Sequence, residues 1–453
     1  MPYVPHTEAE RAEMLACIGV KRPAELFTDV PAKVRLPKLD LPPPCSEIEI
    51  EREMRTLAAR NFALDPSASF LGAGAYHHYR PATVDYVLQR GEFYTAYTPY
   101  QPEVSQGVLQ ALFEYQSMIC RLLALEVSNA SHYDGATALA EAVLLALNLG
   151  RDSNRSKILF SSAVHPQYRA VVRTYLRGMS SATVTGDEDG DDLDRLTSQI
   201  DGSTAALVIQ SPNFFGQFEA VDGLAERAHT AGALLIVVTD PIALGRFRPP
   251  GAYGADIAVA EGQCLGIPPS FGGPHLGIFA TRMAHVRRIS GHLAGETADV
   301  DGRRGYVLTL ATREQHIRRA KATSNICTNS TACALAAAAY LATLGKRGLR
   351  EVAELCFQKS HYAAAQIAAL DGFAVNPQAP EKPFFKEFVV RLPRPAVDVN
   401  AALREEFGII GGYDLGGDYP RLEQHMLIAV TEIHTRAAID RLVAALGQVA
   451  KRK

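Results

Sequence analysis

Five short apolar runs, separated by polar stretches of helical character, constrain the fold of this chain more than any other feature of its sequence. The runs are rich in Val, Ile, Leu and Ala, and they lie at residues 157–161, 204–210, 232–240, 256–262 and 275–280. Runs of this length, bounded by polar helices, are typical of strands that are buried on both faces of a parallel sheet. They therefore predict a layered α/β domain with a mainly parallel sheet.

The residues that follow these runs are organised differently. A long helical stretch at 332–369, interrupted near Gly345–Gly348, precedes strand, helix, strand and helix patterns at 385–392, 398–407, 425–430 and 435–450. Helical spacing also precedes the first run, at 106–127 and 136–149. We therefore predict a large α/β domain over residues 66–331 and a smaller α+β domain over residues 332–453.

The first 65 residues predict an N-terminal arm. Thr7 and Glu10 have the spacing of a capping box, a proline-rich stretch follows at 36–44, and a second helix is expected at 47–60. Such a segment has few residues with which to build a core of its own. We therefore expect the arm at 1–65 to rest on the main domain or on a neighbouring subunit.

Charge and cysteine content narrow the class of protein. The net charge of −3 provides no basic surface for nucleic acid, and no apolar run reaches the roughly 20 residues that a membrane span requires. The seven cysteines are scattered and form no CxxC pair, which fits reduced thiols better than disulfides or a zinc site. The N-terminal residues lack the pattern of a secretory signal. We expect a cytoplasmic protein that contacts neither nucleic acid nor membrane.

Three features fall where the strands of an α/β sheet end, which is where such sheets bind ligands. Gly135 and Thr137 open a helix whose free N–H groups favour a phosphate, although the same residues also fit a simple helix cap. His165 follows the first run and could stack on a flat ring, or cap the next helix. Asp240 ends the third run, where a carboxylate can hold a protonated pyridine nitrogen or cap a turn. In this order the three features resemble the large domain of an aspartate-aminotransferase-type enzyme.

That architecture expects a lysine a few tens of residues beyond the aspartate, to form the Schiff base with pyridoxal phosphate. This chain has no lysine between Lys157 and Lys321. The gap is ordinary for a lysine-poor chain, but it leaves no amine to hold the cofactor covalently. Lys321 lies too far along the chain for the usual role.

An aromatic stretch at residues 90–107 is more distinctive. It holds Phe93, Tyr94, Tyr97 and Tyr100 among prolines and small polar residues, and it matches neither helical nor strand periodicity. We predict an irregular loop. Aromatic loops of this kind suit pockets and interfaces, although such a loop could also simply cover a sheet edge. The adjacent His77 and His78 should point apart, so we predict no shared metal.

Several long stretches resemble the glycine dehydrogenase (decarboxylating) family, the P protein of the glycine cleavage system, and in particular subunit 1, the α subunit of its split bacterial form. The resemblance covers nearly the whole chain. It is strongest at residues 70–81, 92–116, 129–142, 255–277 and 321–330.

The resemblance implies an aspartate-aminotransferase-like fold, that of pyridoxal-phosphate fold type I, in both subunits of an α2β2 heterotetramer. The β subunit, subunit 2, would carry the Schiff-base lysine and hold the pyridoxal phosphate. The matching position here is Gln263, whose amide cannot form an imine. The pocket of this chain should then be a vestige formed by Gly135, Thr137, His165, Asp240 and Gln263. If that pocket is empty, Asp240→Asn should have little effect.

The implied reaction is the decarboxylation of glycine, with transfer of the aminomethyl group to the lipoyl arm of the H protein. This chain would not be active alone. We expect it to form part of the wall of the channel through which the arm reaches the partner's cofactor. The candidate channel residues are Tyr94, Tyr97, Thr98, Tyr100, Ser324 and Asn325.

Two alternatives remain at this stage. The chain could be a self-sufficient pyridoxal-phosphate enzyme that uses Lys321, another unusual lysine or a noncovalent cofactor. It could also be a structural or regulatory pseudoenzyme that contributes no residue to an active site.

Overall fold

A seven-stranded sheet forms the centre of the computed structural model, which describes residues 6–35, 40–62, 65–179, 182–186, 193–326 and 328–451. Its strands are ordered β1-β7-β6-β5-β4-β2-β3. The strands of this sheet are β1 (Val127–Ser128), β2 (Lys157–Phe160), β3 (Thr183–Thr185), β4 (Thr204–Gln210), β5 (Leu234–Thr239), β6 (Ile257–Glu261) and β7 (Gly277–Thr281).

The parallel arrangement holds for most of the predicted strands. Strands β3, β2, β4, β5 and β6 pair in parallel, as the buried apolar runs predict. The prediction is wrong for the run at 275–280, because β7 pairs antiparallel with both β6 and β1. No helix lies between β6 and β7, and an antiparallel pair does not need the long crossover that a parallel pair requires.

Helices pack on both faces of this sheet. Within the described ranges the helices are α1 (Glu8–Ile18), α2 (Glu47–Ala58), α3 (Ala82–Leu88), α4 (Gln106–Leu123), α5 (Gly135–Gly150), α6 (Pro166–Leu176), α7 (Leu193–Thr197), α8 (Leu224–Thr230), α9 (Gln315–Arg318), α10 (Thr331–Ala368), α11 (Ala396–Phe407) and α12 (Arg436–Ala450). Helix α5 covers one face, where Val143 packs among residues such as Val208. On the other face Leu224 of α8 packs near Leu207.

Helix α10 links the central sheet to a second sheet. It is interrupted at Gly345, whose backbone has φ 57° and ψ −172°, in agreement with the predicted break. The second sheet is antiparallel and ordered β10-β11-β13-β12. Its strands are β10 (Ala374–Val375), β11 (Glu387–Arg391), β12 (Tyr413–Asp414) and β13 (His425–Ala429), and α12 packs its Leu442 into the same core.

A hairpin formed by β8 (Leu293–Ala298) and β9 (Arg304–Thr309) was not predicted. Its strands contain glycine and charged residues, and most of their residues are at least partly exposed. They therefore lack the apolar run by which the buried strands can be recognised. None of the described helices is both long enough and apolar enough to cross a bilayer.

The chain divides into two compact units, residues 1–63 and 64–453. In the first unit, the predicted capping box of Thr7 and Glu10 is present at the start of α1, and neither α1 nor α2 has a buried residue. Part of the proline-rich stretch, residues 36–39, lies outside the described residues. The contact of the arm at 1–65 with another surface stays a prediction. The domain boundary at 331–332 also stays a prediction.

Candidate functional site

The strand-end residues predicted from the sequence meet at one edge of the central sheet. His165 follows β2, Asp240 follows β5, and Glu261 ends β6. They line one small cavity, together with Tyr76 from the segment before α3. Its volume is about 40 Å³, whereas ligand pockets typically measure about 300–1,000 Å³.

Asp240 is engaged by a lysine that sequence reasoning missed. The Nζ of Lys386 lies 2.5 Å from Asp240 Oδ2 and 3.5 Å from the centre of the Tyr76 ring. The Lys386 side chain is only 1% exposed. Asp240 Oδ1 also accepts a hydrogen bond from the backbone N–H of Ile242, so the aspartate caps a turn as well. Burial opposes the charge on Lys386, but the negative charge of Asp240 raises the pKa of that amine above its ordinary value.

The backbone N–H group that was predicted to bind a phosphate donates its hydrogen bond to a carboxylate instead. Glu261 Oε2 accepts a hydrogen bond from the N–H of Gly135, the first residue of α5, at 2.9 Å. Glu261 Oε1 accepts two more, from the N–H groups of Gln263 and Leu276. Despite these bonds, burial raises the pKa of Glu261 to about 7. Thr137 bonds only within a capping box with Asp134, which is the simpler of its two predicted roles.

An aromatic side chain stacks on His165 where a cofactor ring was expected. Its ring stacks on that of Tyr168, with 4.8 Å between centroids and 23° between planes. Its Nε2 donates to the carbonyl oxygen of Ala73, and its Nδ1 accepts from the N–H of Gln167, so His165 caps α6. Burial lowers the pKa of this histidine, which favours the neutral ring that these bonds require.

Gln263, at the position of the expected lysine, is buried and fully hydrogen-bonded. Its Oε1 accepts from the N–H of Tyr76, and its Nε2 donates to the carbonyl oxygens of Tyr76 and Ile267. The amide therefore ties the turn at 263–267 to the segment around Tyr76. It has no free group that points into a cavity.

These contacts show that pyridoxal phosphate does not fit this pocket. The cavity has space for a few water molecules at most, and the groups that would bind the cofactor already bind each other. The polar groups of the pocket therefore pair with one another. Asp240 neutralises a buried ammonium group, so Asp240→Asn should lower the stability of the chain, and its small effect on the reaction stays a prediction.

The ion pair belongs to a larger polar cluster. His78 Nε2 lies 3.4 Å from Lys386 Nζ, and His78 Nδ1 lies 2.7 Å from Glu432 Oε2. His78, Cys356 and Glu432 are also the one group among the described residues with an arrangement that could hold a metal ion. Burial raises the pKa of the Cys356 thiol well above its ordinary value, and an ammonium group lies beside the histidine. Both features oppose a cation, so we assign no metal here.

A second and larger cavity, of about 460 Å³, lies beside the aromatic loop. Tyr94 and Tyr97 line it, and Tyr97 is 82% exposed. Thr98 does not line the cavity itself, but its Oγ1 lies 3.0 Å from the Oγ1 of Thr328, which does. As predicted, the loop contains no strand, only two short 3₁₀ turns.

The other candidate channel residues lie outside the lining of this cavity. Tyr100 packs its ring against His292 and His316. Ser324 donates from its Oγ to Glu141 Oε1 at 2.5 Å, and Asn325 is exposed.

We expect Asp240→Asn to lower the free energy of unfolding by about 3–5 kcal/mol, because it leaves the Lys386 charge buried without its partner. The double variant Asp240→Asn/Lys386→Met should be more stable than Asp240→Asn alone. Urea unfolding of the wild type and the two variants measures both effects. A single variant as stable as the wild type would contradict the role of the ion pair.

The stability of the chain should also depend on pH through its buried carboxyl groups. Burial raises the pKa of Glu387 to about 7, above the value of 4.5 for an ordinary glutamate. Between these values the folded chain retains a proton that the unfolded chain has lost. The free energy of unfolding should therefore fall as the pH rises from about 4.5 to 7. Glu387→Gln should reduce this fall, whereas Glu381→Gln, at an exposed position, should not. Urea unfolding at several pH values tests the prediction, and identical pH slopes in all three proteins would contradict it.

Comparisons with known proteins agree with the resemblance seen in the sequence. Residues 1–446 match the model of the family described as glycine cleavage system P-protein. The chain is 55% identical over 454 residues to the probable glycine dehydrogenase (decarboxylating) subunit 1 of Thermomicrobium roseum, with 99% of each chain covered. It is 52% identical to the protein of the same name from Geobacillus kaustophilus, with 98% of each covered.

The solved structures support the fold. A crystal structure of glycine decarboxylase (P-protein) of the glycine cleavage system, in inhibitor-bound form, matches with a TM-score of 0.88 and 47% identity, over 99% of this chain and 100% of that one. Alanine–glyoxylate aminotransferase from Nostoc sp. shares the fold at 15% identity, with a TM-score of 0.56 and 93% and 99% coverage. The predicted α/β fold of pyridoxal-phosphate fold type I is thus confirmed, and the chain belongs to the glycine cleavage system P-protein family.

Proposed function

We propose that this chain is the subunit of a glycine decarboxylase that shapes the active-site channel, while a second and unlike subunit holds the cofactor. The partner would be subunit 2, the β subunit, in an α2β2 heterotetramer in the cytoplasm. The complex would decarboxylate glycine and pass the aminomethyl group to the lipoyl arm of the H protein. The observation that carries the proposal is the contrast between a pocket of about 40 Å³ at Asp240, whose polar groups pair with one another, and a cavity of about 460 Å³ beside the aromatic loop.

The small volume of the pocket at Asp240 supports a cofactor held elsewhere. Pyridoxal phosphate supplies an electron sink for the loss of CO2 when it is bound, and that chemistry needs an amine that can reach it. In this chain the matching position is the amide of Gln263. Lys386, the lysine that contacts Asp240, is an ammonium group held against that carboxylate.

The open cavity supports a channel wall. Its volume of about 460 Å³ lies in the range of ligand pockets, and aromatic and aliphatic side chains such as Phe93, Tyr97 and Leu112 line it. Tyr94 donates from its hydroxyl to the carbonyl oxygen of Leu88 at 2.5 Å, which anchors the loop at one end. An apolar surface on an anchored loop can guide an aliphatic arm and exclude water from it.

A self-sufficient enzyme is the less favoured reading. Lys321 is exposed and lies outside the pocket at Asp240. Lys386 is inside the chain, but its raised pKa keeps it protonated, and a protonated amine is not a nucleophile. Neither lysine therefore meets the requirement for Schiff-base formation.

Expression alone and with subunit 2 tests the division of labour. The chain alone should be colourless after incubation with pyridoxal phosphate and gel filtration. The co-expressed complex should show the visible absorption of the bound cofactor and should exchange CO2 with the carboxyl group of glycine. A coloured and active chain without its partner would overturn the proposal.

Tyr97→Ala tests the channel wall. The side chain is mostly exposed in this subunit, so its removal should change the free energy of unfolding by less than about 0.5 kcal/mol. In the assembled complex with H protein we expect a loss of decarboxylation of about tenfold or more, because a misplaced arm reacts poorly.

The matched control is Tyr79→Ala, a mostly exposed tyrosine that does not line the cavity. It should leave turnover unchanged. If Tyr97→Ala in the intact complex turns over at the wild-type rate, the chain is a structural or regulatory subunit and not a channel wall.

A further inference from the structure

We infer that this chain contains an internal replacement for a cofactor: Tyr168, Lys386 and Glu261 take the places of the ring, the positive ring nitrogen and the phosphate of a pyridoxal phosphate. The inference concerns this chain by itself. It does not depend on the proposed channel or on the partner subunit.

The positive charge is replaced by Lys386. Asp240 stands at the end of β5, where a carboxylate would hold a protonated pyridine nitrogen, and here it holds an ammonium group at 2.5 Å. Lys386 has a φ of +45°, a backbone conformation that residues other than glycine rarely adopt. Such a conformation persists only where the surrounding contacts enforce it. The backbone is therefore bent at the residue that delivers the charge.

The negative charge is replaced by Glu261. A helix N-terminus binds phosphate through its free N–H groups, and at α5 the N–H of Gly135 donates to the Glu261 carboxylate instead. Tyr168 fills the space in front of this helix. A Cβ atom on Gly135 would lie 2.3 Å from the Tyr168 hydroxyl oxygen, so no further atom fits there.

The flat ring is replaced by Tyr168, which stacks on His165 with only 23° between the planes. The replacements are coupled through Tyr76 and Gln263. Lys386 lies over the Tyr76 ring, Gln263 accepts a hydrogen bond from the Tyr76 N–H, and Glu261 accepts one from the N–H of Gln263. A lysine at position 263 would therefore meet a pocket that is already filled. Restoring the missing amine should not by itself restore a cofactor site.

Covalent labelling tests this on the isolated chain. The probe is pyridoxal phosphate followed by borohydride. The lysine amine attacks the aldehyde carbon and one water leaves, and hydride then adds to the resulting C=N carbon while a proton adds to the nitrogen. Gln263→Lys should give no more adduct than the wild type. The combined variant Gln263→Lys/Lys386→Met/Glu261→Ser/Tyr168→Ala, which removes all three replacements, should give an adduct at residue 263, located by peptide mass spectrometry.

Labelling of residue 263 in the single variant would overturn the inference, and so would a folded combined variant that stays unlabelled. A measurement on the wild type decides the matter if the combined variant does not fold. Millimolar pyridoxal phosphate or inorganic phosphate should not shift the melting temperature of the wild-type chain. A rise of several degrees that is lost in Asp240→Asn would show an accessible site and refute the internal replacement. Because no partner subunit is present, these results are separate from those that test the channel.

Discussion

The arrangement of residues 64–453 depends most on one interaction, the buried ion pair of Lys386 and Asp240. Asp240 belongs to the end of the central sheet, and Lys386 to the start of a strand in the second sheet. A fully buried ammonium group is very costly unless it is paired, so the two sheets are held in the one arrangement that keeps Lys386 against Asp240. Tyr76 and His78 close the same cluster from a third segment.

The central sheet could be predicted because its strands are buried on both faces. Burial on both faces produces uninterrupted apolar runs, and the runs at 204–210 and 256–262 correspond to β4 and β6 within a residue or two. The ion pair could not be predicted in the same way. Its partners are far apart in the chain, and their meeting is a property of the tertiary structure. One signal was present, since a lysine and a glutamate, Lys386 and Glu387, interrupt the start of an otherwise apolar strand.

The residues predicted for the candidate site lie close together, but their contacts are not those of a cofactor site. Asp240, His165 and Gly135 do meet at one edge of the sheet, because strand ends in a parallel sheet share an edge. Each of them, however, performs the local structural role that the sequence equally allowed: turn cap, helix cap and helix start. The groups that fill the space between them come from Glu261, Tyr168 and Lys386, which carry no recognisable pattern. For the aromatic loop, the irregular backbone could be predicted from the sequence. The exposure of its individual rings could not.

The two cavities differ in a way that fits one division of labour. A pocket whose charges are paired internally needs no ligand to balance them, because Lys386 lies against Asp240 and Glu261 accepts a backbone hydrogen bond. Exposed tyrosines beside an open cavity, by contrast, leave apolar surface uncovered, which is characteristic of a surface that functions in contact with another molecule. A subunit that gives up its own cofactor gains a fixed framework, and a fixed framework is what a channel wall requires if it is to place a long arm against a cofactor held by another chain.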